Sequence, residues 1–577
     1  MKRICSLLLA VLSICFVGCR KTFDGIASSF LNLPAIGTAS HEVTEHAHTA
    51  LAFDALSDDV SGIGLAIART RELLYRIENG EIAGANAQRA LEEHIDAYRR
   101  YRTAASIAYV RYCFDVTDTG RKAAYETVSA SLEELGCLLI DTELALSRDA
   151  SLAEVYDAQT VARLQQEDAL HDLSVLPLAD RERELIGTYD ALESLTVAYA
   201  GREWTKEEIL SDTSLTFETF SSLYRMYRST YNENAGSVFL ELIRVRNEMA
   251  RTLGFDSYAE YGYASYMRDY TPAEAQTLSD TVKRELVPLF IELQDDFYQA
   301  VMRLSCGTFS QEPTFALVET VIRNLLPELE RPWTYMREKG MYDCSASSNR
   351  MSGSFTTYFE TYGAPFLFTA WDDSYEMPTT MLHEFGHYAG YFLNGIQRMQ
   401  SADPLDLAEI DSQGLELLAF SQYDILYGAL ADAARIANLT IALYAVITGC
   451  MEDEFQQFAY HTDNVTLEAL NAEYERLSKA YGLYEMGLDG ESWTEISHTF
   501  RAPMYYISYS TSMLSALQLL VLSQDNPDGA IAAYRSILMR PIDATFRDTI
   551  QNAGLSDPFD TDTVSALGQL ILARYGE

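Results

Sequence analysis

Five consecutive residues, His383-Glu384-Phe385-Gly386-His387, combine the side chains that a hydrolytic zinc site needs. Two imidazoles four positions apart share one face of a helix, so both can reach one ion. Glu384, beside His383, projects toward the same ion and can take a proton from a water there. A catalytic zinc keeps three protein ligands and one position for water, so a third ligand must come from elsewhere. One common pattern places a His six residues after the second His; here Gly390 is in place but Leu393 stands where that His would be. The ligand must then lie farther on. Residues 403–420 read as a second helix, starting near Asp403-Pro404 and running through Ala408-Glu409-Ile410-Asp411-Ser412. Glu409 lies 22 residues after His387, enough for a turn and an antiparallel return, and is the expected third ligand. Glu416, seven residues on and on the same face, is the expected carboxylate behind a ligand. The implied chemistry is amide hydrolysis by an activated water, with one Zn2+ per chain, Glu384 as general base, and no serine or cysteine nucleophile.

The elements that must hold these residues are mostly helical. Met381, Leu382, Phe385, Tyr388, Ala389, Tyr391 and Phe392 make the metal helix a buried one, and Gly386 permits close backbone approach. From about residue 46 the apolar spacing is helical, as in Leu65 to Ile82 and Ala87 to Val110. Thr271-Pro272-Ala273-Glu274 is a capping-box start, and Gly254 ends one helix before Asp256 or Ser257 opens the next. Residues 333–370 break the rhythm. Trp333 to Met336 and Phe355 to Phe359 alternate like strands, punctuated by Gly353 and Gly363, which predicts a small sheet just before the metal helix. The rest is expected to be helical. A chain of 577 residues is too long for one compact core, so at least two lobes are expected. Gly201 interrupts the helical pattern and sets the boundary between an N-terminal helical region, 46–200, and a catalytic region, 201–577.

The net charge of −41 argues against nucleic acid and anionic lipid as binding partners. Lys2 and Arg3 precede an apolar stretch, Ile4 to Val17, that is too short to span a membrane and ends in Phe16-Val17-Gly18-Cys19. This looks like a bacterial lipobox. It predicts a lipoprotein signal peptide over 1–18, lipid on Cys19, a Ser-, Gly-, Ala- and Thr-rich tether over 19–45, and an extracytoplasmic body anchored to a membrane. No later segment reads as reaching spanning length without interruption. His41, His46 and His48, with Glu42 and Glu45, read as a polar lead-in to the first helix in preference to a second metal site. Cys113, Cys137, Cys306, Cys344 and Cys450 contain no C-x-x-C, so free thiols are expected and no protein partner is predicted.

His383-Glu384-Phe385-Gly386-His387 followed by Ala408-Glu409-Ile410-Asp411-Ser412 resembles the thimet oligopeptidase family, closest to its oligoendopeptidase F branch. His498-Thr499-Phe500-Arg501-Ala502-Pro503-Met504-Tyr505-Tyr506-Ile507-Ser508-Tyr509 matches that family's downstream motif, a His followed by closely spaced Tyr residues. Asp453-Glu454-Phe455-Gln456-Gln457-Phe458 and Leu253-Gly254-Phe255-Asp256-Ser257-Tyr258 match as well, so the resemblance covers roughly residues 200–577. It implies a mainly α, two-lobed metallopeptidase with a deep central channel, a zinc held by His383, His387 and Glu409, and short unstructured peptides as substrates. It further implies that His498 and Tyr509 donate to the substrate carbonyl, and that Tyr505 does the same or binds peptide, with Tyr506 a close competitor for that place. Arg350-Met351-Ser352-Gly353-Ser354-Phe355 resembles the family's strand edge before the metal helix, where substrate main chain could add as a strand. The same helical channel could instead serve a dipeptidyl carboxypeptidase or carboxypeptidase, which needs a cation for the substrate's C-terminus; Arg501 is the candidate.

Overall fold

The computed structural model describes residues 48–346, 349–351, 353–400, 404–541 and 544–575. The signal segment 1–18, Cys19, the tether, His41, His46, Ser352 and Asp403 lie outside the described residues. The chain opens with α1 (Ile63–Glu78), α2 (Gly84–Cys113), α3 (Thr119–Leu146), α4 (Ala158–Leu170) and α5 (Leu176–Asp190). A hairpin of β1 (Thr196–Tyr199) and β2 (Arg202–Thr205) follows, then α6 (Lys206–Ser211), α7 (Phe217–Thr252), α8 (Tyr258–Ser265), α9 (Pro272–Leu304), α10 (Gln311–Leu325) and α11 (Glu330–Lys339). Next come β3 (Tyr342–Asp343), β4 (Ser354–Phe359) and β5 (Ala364–Thr369), then α12 (Met377–Gln400), α13 (Leu405–Leu418), α14 (Tyr423–Tyr427), α15 (Ala431–His461) and α16 (Leu467–Ala480). The chain closes with α17 (Ser497–Arg501), α18 (Ile507–Asp525), α19 (Pro527–Leu538), α20 (Phe546–Asn552) and α21 (Thr561–Tyr575).

Two large apolar cores organise most of these helices, with a small cluster of Val197, Trp204, Ile209, Leu223 and Tyr227 under the hairpin. The smaller is confined to the N-terminal helices, around Leu91, Tyr98, Leu132, Leu139 and Leu164. The larger runs through the rest of the chain and takes in the C-terminal part of α2, from Ile107 to Cys113. Helix α2, with 30 residues and a length of about 45 Å, therefore belongs to both. A window within Leu405–His461 is long and apolar enough to cross a bilayer, contrary to the expectation from sequence, but 61% of it is buried inside the protein. Its apolarity is that of a core helix: α15 lies against α9 and α18.

The three-stranded sheet has the order β3-β5-β4, with β4 antiparallel to β5 and β3 parallel to it. It lies against α12 on one face and α2 on the other. Alternation decides which residue meets which layer. Phe355 stacks on Phe368, its cross-strand partner, and packs against Tyr109 of α2. Thr356, one residue on, points to α12. Both strands are buried along their length, which is why they read as apolar runs.

Two expectations from the sequence are corrected. Trp333 to Met336 belong to α11, not to a strand; Trp333 and Met336 are buried one helical turn apart, and Gly340 (φ 60°) ends the helix. A four-residue apolar run fits either period, and here the wider spacing prevails. Conversely, the break at Gly201 is a β-hairpin whose turn residues, Ala200 (φ 51°) and Gly201 (φ 80°), are both left-handed, as a two-residue hairpin loop requires. The capping box at Thr271 and Glu274 is present, as is the Ser257 cap. Cys113, Cys137, Cys306, Cys344 and Cys450 are free thiols.

Helices α12 and α13 touch at backbone distance. A Cβ at Gly386 would lie 2.2 Å from the carbonyl oxygen of Asp411 and 2.6 Å from Cα of Ser412. Nothing there is a flexible side-chain end, so a methyl group must push the helices apart. Gly386→Ala is expected to destabilise the fold by about 1–3 kcal/mol; thermal unfolding of the variant beside wild type checks this.

Candidate active site

His383 and His387 lie one turn apart on α12, and Glu409 faces them from α13. Their ligand atoms all fall within 4.8 Å of one another, and all three side chains are buried. Glu409 Oε2 stands 3.8 Å from His383 Nε2 and 3.9 Å from His387 Nε2. Ligands bound tetrahedrally at about 2.0–2.1 Å are separated by about 3.3 Å, so a small contraction closes the group around an ion. Two imidazoles and one carboxylate are the donor set of hydrolytic zinc sites.

His383 and Glu409 each have support behind them. His383 Nδ1 donates to Glu416 Oε1 at 2.5 Å, which leaves Nε2 for a metal. Glu416 therefore occupies the supporting place expected for it. Glu409 accepts from the hydroxyl of Tyr505 on Oε1 at 2.6 Å, so its other oxygen, Oε2, is the one aimed at the histidines. Glu384 is fully buried. Its Oε2 accepts from Thr356 Oγ1 at 2.8 Å, while Oε1 has no hydrogen-bond partner. An orphaned carboxylate oxygen beside a metal-ligand group is where a water would be held.

The electrostatics follow from burial. Burial alone would lower the pKa of His383, but the charge and hydrogen bond of Glu416, with Glu384 and Glu409, outweigh it and lift the imidazole to about 9. Burial raises Glu384 to about 8, against the pull of His383 and Thr356. Burial likewise raises Glu409, opposed by His383 and the Tyr505 hydroxyl.

His498, on α17, is buried against the tyrosines of the downstream motif. Its ring centroid lies 5.3 Å from Tyr505, 5.1 Å from Tyr506 and 6.1 Å from Tyr509. Tyr505 and Tyr509 are 5.2 Å apart by centroid, and Tyr505 reaches the metal group through Glu409. Tyr506 instead lines a small cavity with Tyr444, Thr448, Glu452 and Tyr474. Arg501 donates to Asp190 Oδ1 from Nη2 at 2.8 Å and from Nε at 3.0 Å. His48 stacks on Phe392 of α12, and its Nδ1 is 2.6 Å from the Gly363 carbonyl, so it packs as part of the lead-in to the helices. The residue that sequence reasoning missed is Thr356. The one available signal was its alternation with Phe355, which puts it on the face of β4 opposite the aromatic layer.

No family model and no curated protein matches the chain. Solved structures do. The chain resembles a structure assigned as an oligoendopeptidase F, with 22% identity, coverage of 90% of this chain and 98% of that one, and a TM-score of 0.76. It resembles PZ peptidase A, solved with an inhibitor, at 20% identity, 90% and 98% coverage and a TM-score of 0.73. It also resembles Trypanosoma cruzi metallocarboxypeptidase 1 at 14% identity, 89% and 100% coverage and a TM-score of 0.56. The chain thus has the helical oligoendopeptidase F fold.

In the metal-free protein His383 keeps its proton up to about pH 9, and a metal can bind only the neutral imidazole. Affinity for a divalent metal is therefore expected to rise through neutrality, by about tenfold per pH unit for each proton expelled, and to level off above that pH. Calorimetric titration in buffers of different ionisation enthalpy counts the protons released. Glu416→Gln removes the negative charge behind His383 and is expected to weaken binding of a divalent metal by about 10- to 100-fold, measured by chelator competition.

Proposed function

We propose that this chain is a zinc metalloendopeptidase that hydrolyses short, unstructured peptides. The observation that carries the proposal is the convergence of His383, His387 and Glu409 on one point, with the carboxylate of Glu384 beside them and one of its oxygens unengaged. The shared fold with oligoendopeptidase F and PZ peptidase A supports it. A bound zinc ion would polarise the scissile carbonyl and acidify a coordinated water. Glu384 accepts a proton from the attacking water and passes it to the leaving amine. His498 and Tyr509 donate to the carbonyl oxygen as it gains charge, and preorganised donors of this kind each contribute roughly 3–4 kcal/mol. Tyr505 completes the same aromatic wall and holds the ligand Glu409.

Substrate class follows from access. Glu384 and Glu409 are 0% exposed and His383 and His387 at most 5%, so a folded protein cannot present a peptide bond to them. Only a thin, flexible chain fits once the walls part. Among the described residues strand β4 has a strand neighbour on one side only, and an extended peptide could add to its other edge. The carboxypeptidase reading needs a free cation for the substrate's C-terminus, and Arg501, its candidate, is engaged with Asp190. From residues 1–19 we further propose that the enzyme works outside the cytoplasm, held to a bacterial membrane by lipid on Cys19.

The test is hydrolysis of an internally quenched peptide of about eight residues with a blocked C-terminus, comparing wild type with Glu384→Gln at equal zinc content. The wild type is expected to cleave internally and the variant to keep zinc while losing roughly three or more orders of magnitude in kcat. A zinc-loaded wild type that cleaves no such peptide, blocked or free, refutes the peptidase reading; one that cleaves only the unblocked form turns it to a carboxypeptidase.

A further inference from the structure

Glu384 has three side-chain torsions and, as the general base of the reaction proposed above, must present one particular oxygen. The structure restrains it at the other. Thr356 Oγ1 lies 2.8 Å from Glu384 Oε2 and 3.0 Å from the backbone carbonyl oxygen of the same residue. The hydroxyl, with one proton for two acceptors, sits between the helix backbone of α12 and the carboxylate that α12 carries, and the shorter contact is to the carboxylate. Thr356 is itself fixed. It is in a strand paired on one side to β5, opposite Leu367, and its β-branched side chain has few χ1 choices. Glu384 Oε1, by contrast, has no partner, and the charges of His383 and Glu409 act on the carboxylate.

We infer that Thr356 is the positioning residue for the general base: its hydroxyl holds Glu384 Oε2 so that Oε1 faces the reacting water. The inference rests on the peptidase reading for its kinetic consequence, but not for its structural one. The hydroxyl performs no covalent step. It touches neither substrate nor metal, and it stays on Oε2 while Oε1 gains the proton from water and gives it up to the amine. Because Thr356 belongs to the sheet and Glu384 to α12, the contact also registers the base against the strand along which a peptide would lie. The arrangement has a parallel on the ligand side. Tyr505 occupies one oxygen of Glu409 and leaves the other to the metal. Glu384 and Glu409 are thus each held at one oxygen by a hydroxyl from another element.

The experiment compares Thr356→Val, which keeps shape and removes the hydroxyl, with Thr356→Ser, which keeps the hydroxyl. Both are assayed for zinc content and for kcat and KM on the quenched peptide, with wild type and Glu384→Gln as references. Thr356→Val is expected to keep its zinc and its KM while kcat falls about 10- to 100-fold, and Thr356→Ser to recover most of that loss. Crystal structures of both variants without zinc give a readout independent of turnover. The Glu384 carboxylate should leave its wild-type position in Thr356→Val and keep it in Thr356→Ser. Wild-type kcat in Thr356→Val overturns the inference, as does a loss that Thr356→Ser shares equally, which would mark a packing role. An unmoved carboxylate in Thr356→Val overturns it too, even if peptide proves not to be the substrate. Inactivity of the wild type, by contrast, counts against the peptidase reading alone.

Discussion

Helices α12 and α13 meet where Gly386 has no side chain, and that contact sets the distance between the two histidines and Glu409. Asp411, the residue against which Gly386 packs, is braced from behind. Its carbonyl accepts from Tyr534 of α19, and its carboxylate accepts from Arg540 at 2.9 and 3.1 Å. Asp411 and Arg540 are both buried. Breaking such a pair from one side leaves an uncompensated charge in the core, at a cost of about 3–5 kcal/mol. The pair is expensive to lose, so α13 has little freedom to slide along α12. Metal geometry here is a property of two backbones in contact, with the ligand side chains as the last link.

Concentrating carboxylates at such a point opposes folding, because a buried charge without a partner is costly. Glu384, Glu409 and Glu416 lie within reach of His383, and every one of them raises its pKa. The metal-free site answers this charge with protons. An ion answers it with two positive charges in the same place, so metal binding and relief of buried repulsion are one event. The hydroxyls of Tyr505 and Thr356 do what protons cannot. They satisfy one oxygen of Glu409 and one of Glu384 without neutralising either carboxylate.

The sheet transmits this order to the rest of the molecule. Strand β4 carries Thr356 toward α12 and Phe355 toward α2, and the turn after it carries Glu360. Buried Glu360 takes Arg99 at 3.2 Å and Arg102, both from α2. The C-terminal end of α2 adds backbone contacts: Met351 N donates to the Cys113 carbonyl at 3.0 Å, and Val116 N donates to the Asn349 carbonyl at 2.8 Å. The helix shared by both cores thus grips the strand that contacts Glu384. Of the N-terminal helices, α2 makes this contact, through apolar packing and two arginines.

What was legible in the sequence, and what was not, divides along a physical line. His383, Glu384 and His387 lie within one helical turn, so a period of 3.6 brings them together without any knowledge of the fold. Gly386 was readable for the same reason, as a gap on the face of a buried helix. Glu409 needed one further step, a short return of the chain. Thr356 and Glu384 are 28 residues apart, His383 and Glu416 are 33, and Tyr505 and Glu409 are 96, each pair joining different elements. No periodicity connects such pairs. Glu416 was reached only because it shares a face with Glu409, and the Tyr505 contact with Glu409 was not reached at all. Trp333 to Met336 failed for the opposite reason, being too short for a period to show. Sequence pattern reports what one element presents on one face. The constraints that make the presented groups act in concert arise between elements, and only the packed structure displays them.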